Sequence, residues 1–261
     1  MSHLVALMYH AIYANETELE TIPEEDRPYA ISTHQFEQQL EILKKQNIPV
    51  LEPQAINQTP PPIRGVILTF DDGDQSFFKH AYRILNDKGH KAMFFISTDL
   101  IDQRDDFCTW DELKEMAEAG MLIQCHGQTH RFFDDLTEQE SRSEFHTAQQ
   151  TLQQHTGQKV YAISFPGGRY TEKDIAVGKS LGYTCFYTSE IGTLQTHRVN
   201  NSSPLPRLPI RQNTSEQEFL LMASADSRYI RKETFKNFLK KMMKNILGNT
   251  LYHSLYKAVT G

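Results

Sequence analysis

The sequence predicts an α/β fold, namely a barrel of about seven β/α units with a C-terminal amphipathic helix. Short apolar runs alternate with segments of helical periodicity: LVALMY precedes STHQFEQQLEILKKQ, GVILTF precedes SFFKHAYRILNDKG, and KAMFFIS precedes TWDELKEMAEAG. Strands joined through helices run parallel, so this order indicates a parallel sheet, and about seven rounds favour a barrel.

The later part of the chain keeps the same rhythm. MLIQC is followed by TEQESRSEFHTAQQTLQQH and YAISF by TEKDIAVGKSLG, and the series ends with TCFYT, LPRLPI and TSEQEFLLMAS. Thr109 and Glu112 have the spacing of a capping box, while Gly89, Gly120 and Gly182 stand where helices should stop. Local signals and the overall rhythm therefore agree on the order of elements.

The charge distribution divides the chain into a barrel domain, 1–225, and a basic amphipathic helical tail, 226–261. From Arg228 onward there are eight Lys or Arg and one Glu, whereas the remainder has 19 basic and 32 acidic residues. Apolar residues of the tail fall at helical spacing with lysines on the other flank. Such a helix is typical of docking on the barrel, of binding a partner, or of peripheral membrane contact through residues 228–261.

Composition narrows the class of protein. The chain has 261 residues and a formal net charge of -6, which gives no general attraction to nucleic acid. Cys108, Cys125 and Cys185 lack the spacing of a disulfide framework or a cysteine zinc site. The opening MSHLVALMYH has neither a basic leader nor a long apolar run. We therefore expect a cytoplasmic protein without a nucleic-acid partner.

Polar motifs follow three of the predicted strands. TFDDG closes GVILTF, CHGQTH closes MLIQC, and SFPGGRY closes YAISF. In parallel-sheet enzymes functional groups gather at the carboxyl ends of strands. The three motifs should therefore meet at one rim, and the acidic segment 15–30, which follows the first strand, should lie near it.

The histidine and aspartate motifs together predict a metal centre. His126 and His130 are four residues apart, which lets both imidazoles reach one ion. One carboxylate would complete a set of three ligands that leaves positions open for water and substrate. Successive side chains on a strand point to opposite faces, so we assign one of Asp71 and Asp72 as a ligand and the other as a base. Asp74 precedes a helix and is interpreted as its N-cap.

These motifs resemble the polysaccharide deacetylase family, also called the NodB homology or carbohydrate esterase 4 family. The resemblance rests on LTFDDG, HGQTH, the FPGG turn, the opening LMYHAI and the late LPRLPI, and it covers about residues 4–222. It implies a distorted (β/α) barrel that removes N- or O-acetyl groups from sugars. It also implies a divalent metal cofactor, often zinc.

By matching position, the resemblance implies that Asp71 is the general base and that Asp72, His126 and His130 hold the metal. The arginine that opens the family's third motif is replaced here by Ser164 or Phe165. We expect Arg207 in LPRLPI, in preference to Arg169, to support the base.

The family's last motif, which supplies a histidine as general acid, has no clear match after residue 200. His10, at the end of the first strand, and His197 are the two candidates.

The expected function is metal-dependent removal of N-acetyl groups from a sugar in a cell-surface polysaccharide or in its lipid-linked precursor. Two alternatives stay open at this point. One is a deformylase or amidase acting on another acylated substrate, and the other is a catalytically silent barrel that binds glycan.

Overall fold

The computed structural model describes residues 3–57, 62–195, 198, 201–239 and 242. Its main sheet has eight strands, all paired in parallel, in the order β10-β1-β4-β5-β6-β7-β8-β9. These strands are β1 (His3–Tyr9), β4 (Arg64–Asp72), β5 (Met93–Ile96), β6 (Leu122–Cys125), β7 (Ala162–Ser164), β8 (Cys185–Tyr187), β9 (Pro204–Leu205) and β10 (Leu208–Pro209). A separate two-stranded sheet pairs β2 (Ile12–Tyr13) with β3 (Ile31–Ser32).

The two edges of the main sheet belong to one short segment of chain. β9 and β10 are separated only by Pro206 and Arg207, yet β9 pairs with β8 and β10 pairs with β1. Two residues span only a few ångströms, so the sheet curls until its edges almost meet. The fold is therefore a distorted β/α barrel, as predicted, and Arg207 lies where the barrel closes.

Helices connect the strands and cover the outside of the barrel. They are α1 (Glu16–Thr21), α2 (Thr33–Lys45), α3 (Arg83–Asp87), α4 (Trp110–Glu118), α5 (Glu138–Thr156), α6 (Glu172–Ser180) and α7 (Glu216–Ala223), and α3 is preceded by a π-helical turn at Phe77–Tyr82. Short 3-10 helices occupy Arg27–Tyr29, Pro53–Asn57, Thr98–Leu100, Phe133–Asp135 and Pro166–Gly168. The predicted capping box of Thr109 and Glu112 is present at the start of α4.

Side chains alternate between the two faces of each strand and build two hydrophobic clusters. Val66, Leu68 and Phe70 of β4 face the helices and belong to the larger cluster, whereas Ile67 belongs to a smaller one inside the barrel. Asp71 continues the inward series of β4, because successive side chains of a strand point to opposite faces. A buried carboxylate therefore points into the barrel near the carboxyl end of β4.

Residues 227–239 form a further helix, which we call the C-terminal helix. Tyr229 and Ile230 pack against the larger cluster, and the Tyr229 hydroxyl donates a hydrogen bond to Glu218 of α7 at 2.9 Å. The first turns of the predicted tail therefore rest on the barrel. The rest of the predicted tail, apart from Met242, lies outside the described residues. Among the described residues, no helix combines the length and apolar character needed to cross a bilayer.

Candidate active site

The strand register brings the polar motifs to one rim of the barrel. Asp72 is paired with Ile96, Ile96 with Cys125, and Cys125 with Ile163, so the carboxyl ends of β4 to β7 are level. His126 follows Cys125 directly. The TFDDG, CHGQTH and SFPGG motifs therefore lie side by side, as expected for a parallel sheet.

Asp72, His126 and His130 form a cluster suited to one cation. The Nε2 atoms of both histidines lie 3.1 Å from Asp72 Oδ1, and the possible ligand atoms of all three residues are within 4.8 Å of one another. His126 is buried, while the side chains of Asp72 and His130 are 31% and 40% exposed. Two imidazoles and one carboxylate with an open side match a catalytic metal site that keeps positions for water and substrate.

The protonation of His126 fits this role. Its Nδ1 lies 2.7 Å from the backbone oxygen of Ser164. A carbonyl oxygen only accepts, so Nδ1 carries the proton, and in the neutral ring Nε2 keeps its lone pair directed at the cluster. The Ser97 hydroxyl also donates to the backbone oxygen of His126 at 3.1 Å. Both contacts hold this histidine in the orientation of a ligand.

Two of the three residues have unusual backbone conformations. Asp72 has φ 94° and His130 has φ 62°, both in the left-handed region that side chains other than glycine rarely adopt. Such conformations cost about 1–3 kcal/mol each and persist where surrounding contacts determine them. At Asp72 the turn of the chain keeps its carboxylate at the rim, beside Asp71, although strand alternation alone would point the two apart.

Glu144 of α5 holds the loop that carries His130. Its Oε2 accepts hydrogen bonds from the backbone N–H groups of Gln128 at 2.6 Å and Thr129 at 2.9 Å. The Thr129 hydroxyl donates to its Oε1 at 2.5 Å. Glu144 is 5% exposed, so these bonds are shielded from water. Sequence reasoning missed this residue, because nothing in the pattern of α5 shows that an inward-facing glutamate meets a loop 15 residues earlier.

Arg207 holds Asp71 through a paired contact. Nη1 donates to Asp71 Oδ1 at 2.7 Å and Nη2 to Oδ2 at 2.6 Å. The remaining guanidinium protons are also bonded, to the backbone oxygen of Thr188 (3.0 Å), the Thr69 hydroxyl (3.1 Å) and the Ser164 hydroxyl (2.7 Å). All five N–H groups of this fully buried arginine are satisfied. The carboxylate is therefore fixed in position from inside the barrel.

Ser164 also belongs to this buried network. Its hydroxyl donates to Asp71 Oδ2 at 3.0 Å and accepts from Arg207 Nη2. Ser164 is one of the two positions where the resemblance would place the third-motif arginine, and here the guanidinium beside it comes from the closing segment 204–209. Arg169, the other predicted candidate, lies elsewhere, because its guanidinium pairs with Asp134 and Asp135 at the surface.

The electrostatics of the two aspartates favour their ionised forms. Burial acts to raise the pKa of Asp71, but the charge and hydrogen bonds of Arg207 outweigh it and hold the pKa below its ordinary value. Burial acts in the same direction on Asp72, yet its close contacts with the imidazoles of His126 and His130 hold its pKa well below the ordinary value. Asp71 can therefore act as a proton acceptor near neutral pH, and Asp72 can act as an anionic ligand.

The structure places His10 beside this cluster. Tyr9 is paired with Phe70, so His10 is level with Asp71 at the ends of adjacent strands. Its positive form would lower the pKa values of both Asp71 and Asp72, and its Nδ1 is buried without a hydrogen-bond partner among the residues that the structure describes. His197, the other predicted acid, lies outside the described residues.

Asp26 lies close enough to the site to interact electrostatically with Asp72, His10 and His130. Burial and the negative charge of Asp72 raise the pKa of Asp26, whereas His10 and His130 oppose the rise. The residue precedes the 3-10 helix Arg27–Tyr29. The acidic segment 15–30 therefore lies near the rim, as the sequence predicted, but the sequence did not single out Asp26.

The fold and this donor set define a parallel α/β barrel with a candidate hydrolytic metal centre at the carboxyl rim. The family model "Polysaccharide deacetylase" matches residues 58–186, which are 129 of the 261 residues of this chain. The predicted family and the predicted fold class are both confirmed.

Known relatives agree with this placement. The Bacillus subtilis protein YxkH, which is named after the same family, is 27% identical over 194 residues, covering 72% of this chain and 65% of that protein. The Escherichia coli poly-beta-1,6-N-acetyl-D-glucosamine N-deacetylase is 25% identical over 203 residues, which cover 61% of this chain and 30% of the relative. The chain thus spans less than two thirds of the length of either relative.

A solved structure shows the same fold over most of the chain. The Streptococcus pyogenes deacetylase PplD, solved in complex with acetate, superposes with a TM-score of 0.74 and is 26% identical, covering 84% of this chain and 97% of PplD. IcaB from Ammonifex degensii, at 22% identity, superposes with a TM-score of 0.69, covers 86% of this chain and supports the fold alone.

Proposed function

We propose that this protein hydrolyses the N-acetyl group of an amino sugar in a glycan, with a divalent metal as cofactor. One observation carries the proposal. A cluster of one carboxylate and two imidazoles, open to solvent on one side, stands next to a second carboxylate that Arg207 fixes in its ionised form. This is the arrangement needed to bind an acyl group and to accept a proton from an attacking water molecule.

Asp72, His126 and His130 would hold the cation. The two imidazoles favour zinc over magnesium or calcium, which prefer sites built of oxygen ligands. When bound, the cation supplies a Lewis acid for the acetyl carbonyl and lowers the pKa of water.

Asp71 is the general base of the proposal. Its two oxygens are fixed by Arg207 and its pKa lies below the ordinary value, so the carboxylate is ready to accept the proton as water adds to the acetyl carbon. Arg207 does not reach the reacting atoms in this account. It is a positioning residue, and it keeps the negative charge of Asp71 in an otherwise buried place.

His10 is the proposed general acid. Breaking the carbon–nitrogen bond of an amide requires a proton on the departing nitrogen. His10 lies beside Asp71 at the rim, and its Nδ1 makes no hydrogen bond within the described residues. The products are acetate and the free amine of the sugar, so one water molecule is consumed for each acetyl group released.

The substrate class follows from the relatives and is part of the proposal. The E. coli relative is named for poly-beta-1,6-N-acetyl-D-glucosamine, and the S. pyogenes deacetylase was solved with acetate. The first name supports an N-acetylated sugar of a polysaccharide, and the bound acetate supports release of an acetyl group. We propose that the polysaccharide is one of the cell surface or its lipid-linked precursor. We propose action from the cytoplasmic side, which is supported by three buried cysteines that form no disulfide, Cys108, Cys125 and Cys185.

The geometry argues against one of the two alternatives. A silent glycan-binding barrel has no need for a buried Asp71–Arg207 pair or for three converging ligands, and retaining them costs stability. A deformylase or amidase would need the same centre, so substrate tests must decide. We expect acetate release from N-acetylglucosamine oligomers by the zinc-loaded protein. Formate release from N-formyl compounds, without acetate release from any acetylated sugar, would favour the deformylase instead.

A further inference from the structure

The C-terminal helix has one face on the barrel and the opposite face in solvent. Tyr229 and Ile230 pack inward, and the Thr234 hydroxyl donates to the backbone oxygen of Ile191 at 3.4 Å. Because residues of a helix repeat every 3.6 positions, these contacts fix which side chains point away from the protein.

The outward face carries an apolar stripe. Phe235 is 60% exposed, Phe238 is 61% exposed and Met242 is 42% exposed. Phe238 and Met242 follow Phe235 by three and seven residues, a spacing that aligns all three along one side of a helix. The described residues expose five large hydrophobic side chains, and three of them lie on this stripe. Scattered exposed hydrophobic residues are ordinary, but a concentrated row of them marks a binding surface.

Cations share this face. Arg228 and Arg231 precede Phe235 and Phe238 by seven residues each, which puts them on the same side of the helix, and Lys232 lies on the flank. All three are exposed, and none of them takes part in an ion pair within the described part of the chain. Four more lysines follow in the sequence after residue 239. The face therefore combines unpaired positive charge with exposed aromatic rings.

We propose that this face binds the surface of an anionic lipid bilayer. Phe235, Phe238 and Met242 would enter the boundary between headgroups and acyl chains, while the cations meet lipid phosphates. The distribution of charge supports an anionic bilayer as the partner. The tail is basic, while the remainder of the chain has 32 acidic and 19 basic residues. The acidic barrel would be repelled by anionic lipid, so the cations are concentrated where contact is made.

The helix also borders the rim that carries the metal ligands. Asn237 and Phe238 of the helix line a groove of about 660 Å³ together with the loops that follow β7 and β8, among them Gly167, Arg169 and Ser189. Phe238 therefore lies at the edge of the apolar stripe that is nearest to the barrel. A bilayer held by the outward face would therefore be close to the candidate active site. This positioning would suit a substrate attached to lipid. That consequence rests on the proposed function, whereas the lipid contact itself does not.

Vesicle binding tests the proposal on the full chain. Wild-type protein is titrated with vesicles of phosphatidylglycerol and phosphatidylcholine, or of phosphatidylcholine alone, and bound protein is measured by co-sedimentation. We expect binding to the anionic vesicles that weakens with added salt. The double variant Phe235→Ser/Phe238→Ser should bind them at least about tenfold more weakly. Arg228→Gln/Arg231→Gln should lose the preference for anionic lipid.

Matched controls change equivalent side chains elsewhere. Ile63→Ser removes a hydrophobic side chain that is 76% exposed just before β4, and Lys44→Gln/Lys114→Gln removes two exposed cations of other helices. Both should bind vesicles as the wild type does. Absence of wild-type binding, or equal binding by Phe235→Ser/Phe238→Ser, overturns the proposal. The proposal is also overturned if light scattering shows a wild-type dimer without lipid and a monomer for Phe235→Ser/Phe238→Ser. That result would show that a second copy of the chain covers the face.

Discussion

Arg207 and Asp71 lie 136 residues apart in the chain and face each other inside the barrel, with nitrogen–oxygen distances of 2.7 and 2.6 Å. The pair joins the segment that closes the sheet to the strand that ends in Asp72. Fold closure and the position of the proposed base are therefore coupled through one buried contact.

Breaking this pair should destabilise the protein strongly. Removing one partner of a buried ion pair leaves the other charge without compensation, and we expect Arg207→Ala to lower the free energy of unfolding by about 3–5 kcal/mol. Urea denaturation of metal-free protein measures the loss. The control is Arg169→Ala, whose ion pairs at the surface are 43% exposed on the arginine side, and we expect it to cost at most about 1 kcal/mol. Equal costs for both variants would show that the buried pair is not special.

Substitution of Asp71 and of Asp72 should have different effects on zinc binding and on activity. Asp71→Asn is expected to keep bound zinc and to lose roughly two to four orders of magnitude in kcat, because a general base is removed. Asp72→Asn should lose the metal, and Asp74→Asn, at a position where the carboxylate accepts from the Ser76 N–H, should keep both metal and activity. Metal analysis after dialysis, together with acetate release, checks all three. Loss of zinc from Asp71→Asn would mean that the two roles are reversed.

Stability should depend on pH through Asp71. Burial acts to raise its pKa, but Arg207 holds the pKa below the ordinary value in the folded protein. Such an acid stabilises the fold above its unfolded pKa, and its contribution is lost as the pH falls through the folded pKa. The stability difference between wild type and Asp71→Asn should therefore be full at neutral pH and shrink below about pH 4. Urea titrations of both metal-free proteins measure it, and a difference that grows on acidification would contradict this sign.

His10 can be tested through the leaving group. An amine needs a proton to depart, whereas 4-nitrophenolate does not, so His10→Ala should slow amide hydrolysis by roughly two to four orders of magnitude. Hydrolysis of 4-nitrophenyl acetate should change little. His34→Ala, at an exposed position on α2, is the control, and His197→Ala is compared in the same assay. If His10→Ala slows both substrates equally, His10 is not the acid.

Glu144 should matter for metal affinity although it touches no ligand atom. Its carboxylate accepts three hydrogen bonds from the loop that carries His130, and loss of a group that orients a ligand costs about 10–100-fold in metal affinity. We expect that loss for Glu144→Gln, measured by zinc competition with a chelator. Glu138→Gln, which changes an exposed glutamate of the same helix, should bind zinc normally. An unchanged zinc dissociation constant for Glu144→Gln would show that Glu144 does not support metal binding.

The sequence predicted those features that depend on local pattern. Strand and helix periodicity are set within a few residues, and the parallel order then places TFDDG and CHGQTH at one rim. The resemblance added Arg207, because LPRLPI matched a late motif. In the structure Arg207 pairs with Asp71, and the Ser164 hydroxyl bonds to both residues.

Features that depend on long-range packing were not predictable in the same way. Glu144 reads as one more polar residue of an amphipathic helix, and its function depends on which loop packs against α5. Strand alternation predicted different roles for Asp71 and Asp72. It did not predict the left-handed backbone of Asp72, which has φ 94°. A backbone conformation of that kind is imposed by surrounding contacts rather than by the residue itself.

Metal reconstitution tests directly whether zinc bound at the proposed centre is needed for acetate release. The protein is stripped of metal, titrated with zinc by calorimetry, and assayed for acetate release from N-acetylglucosamine oligomers at each point, with Asp72→Asn in parallel. We expect one zinc site per chain and acetate release that rises with its occupancy, with both lost in Asp72→Asn. Acetate release by the stripped protein at the rate of the zinc-loaded one, or none at full zinc occupancy, would contradict it.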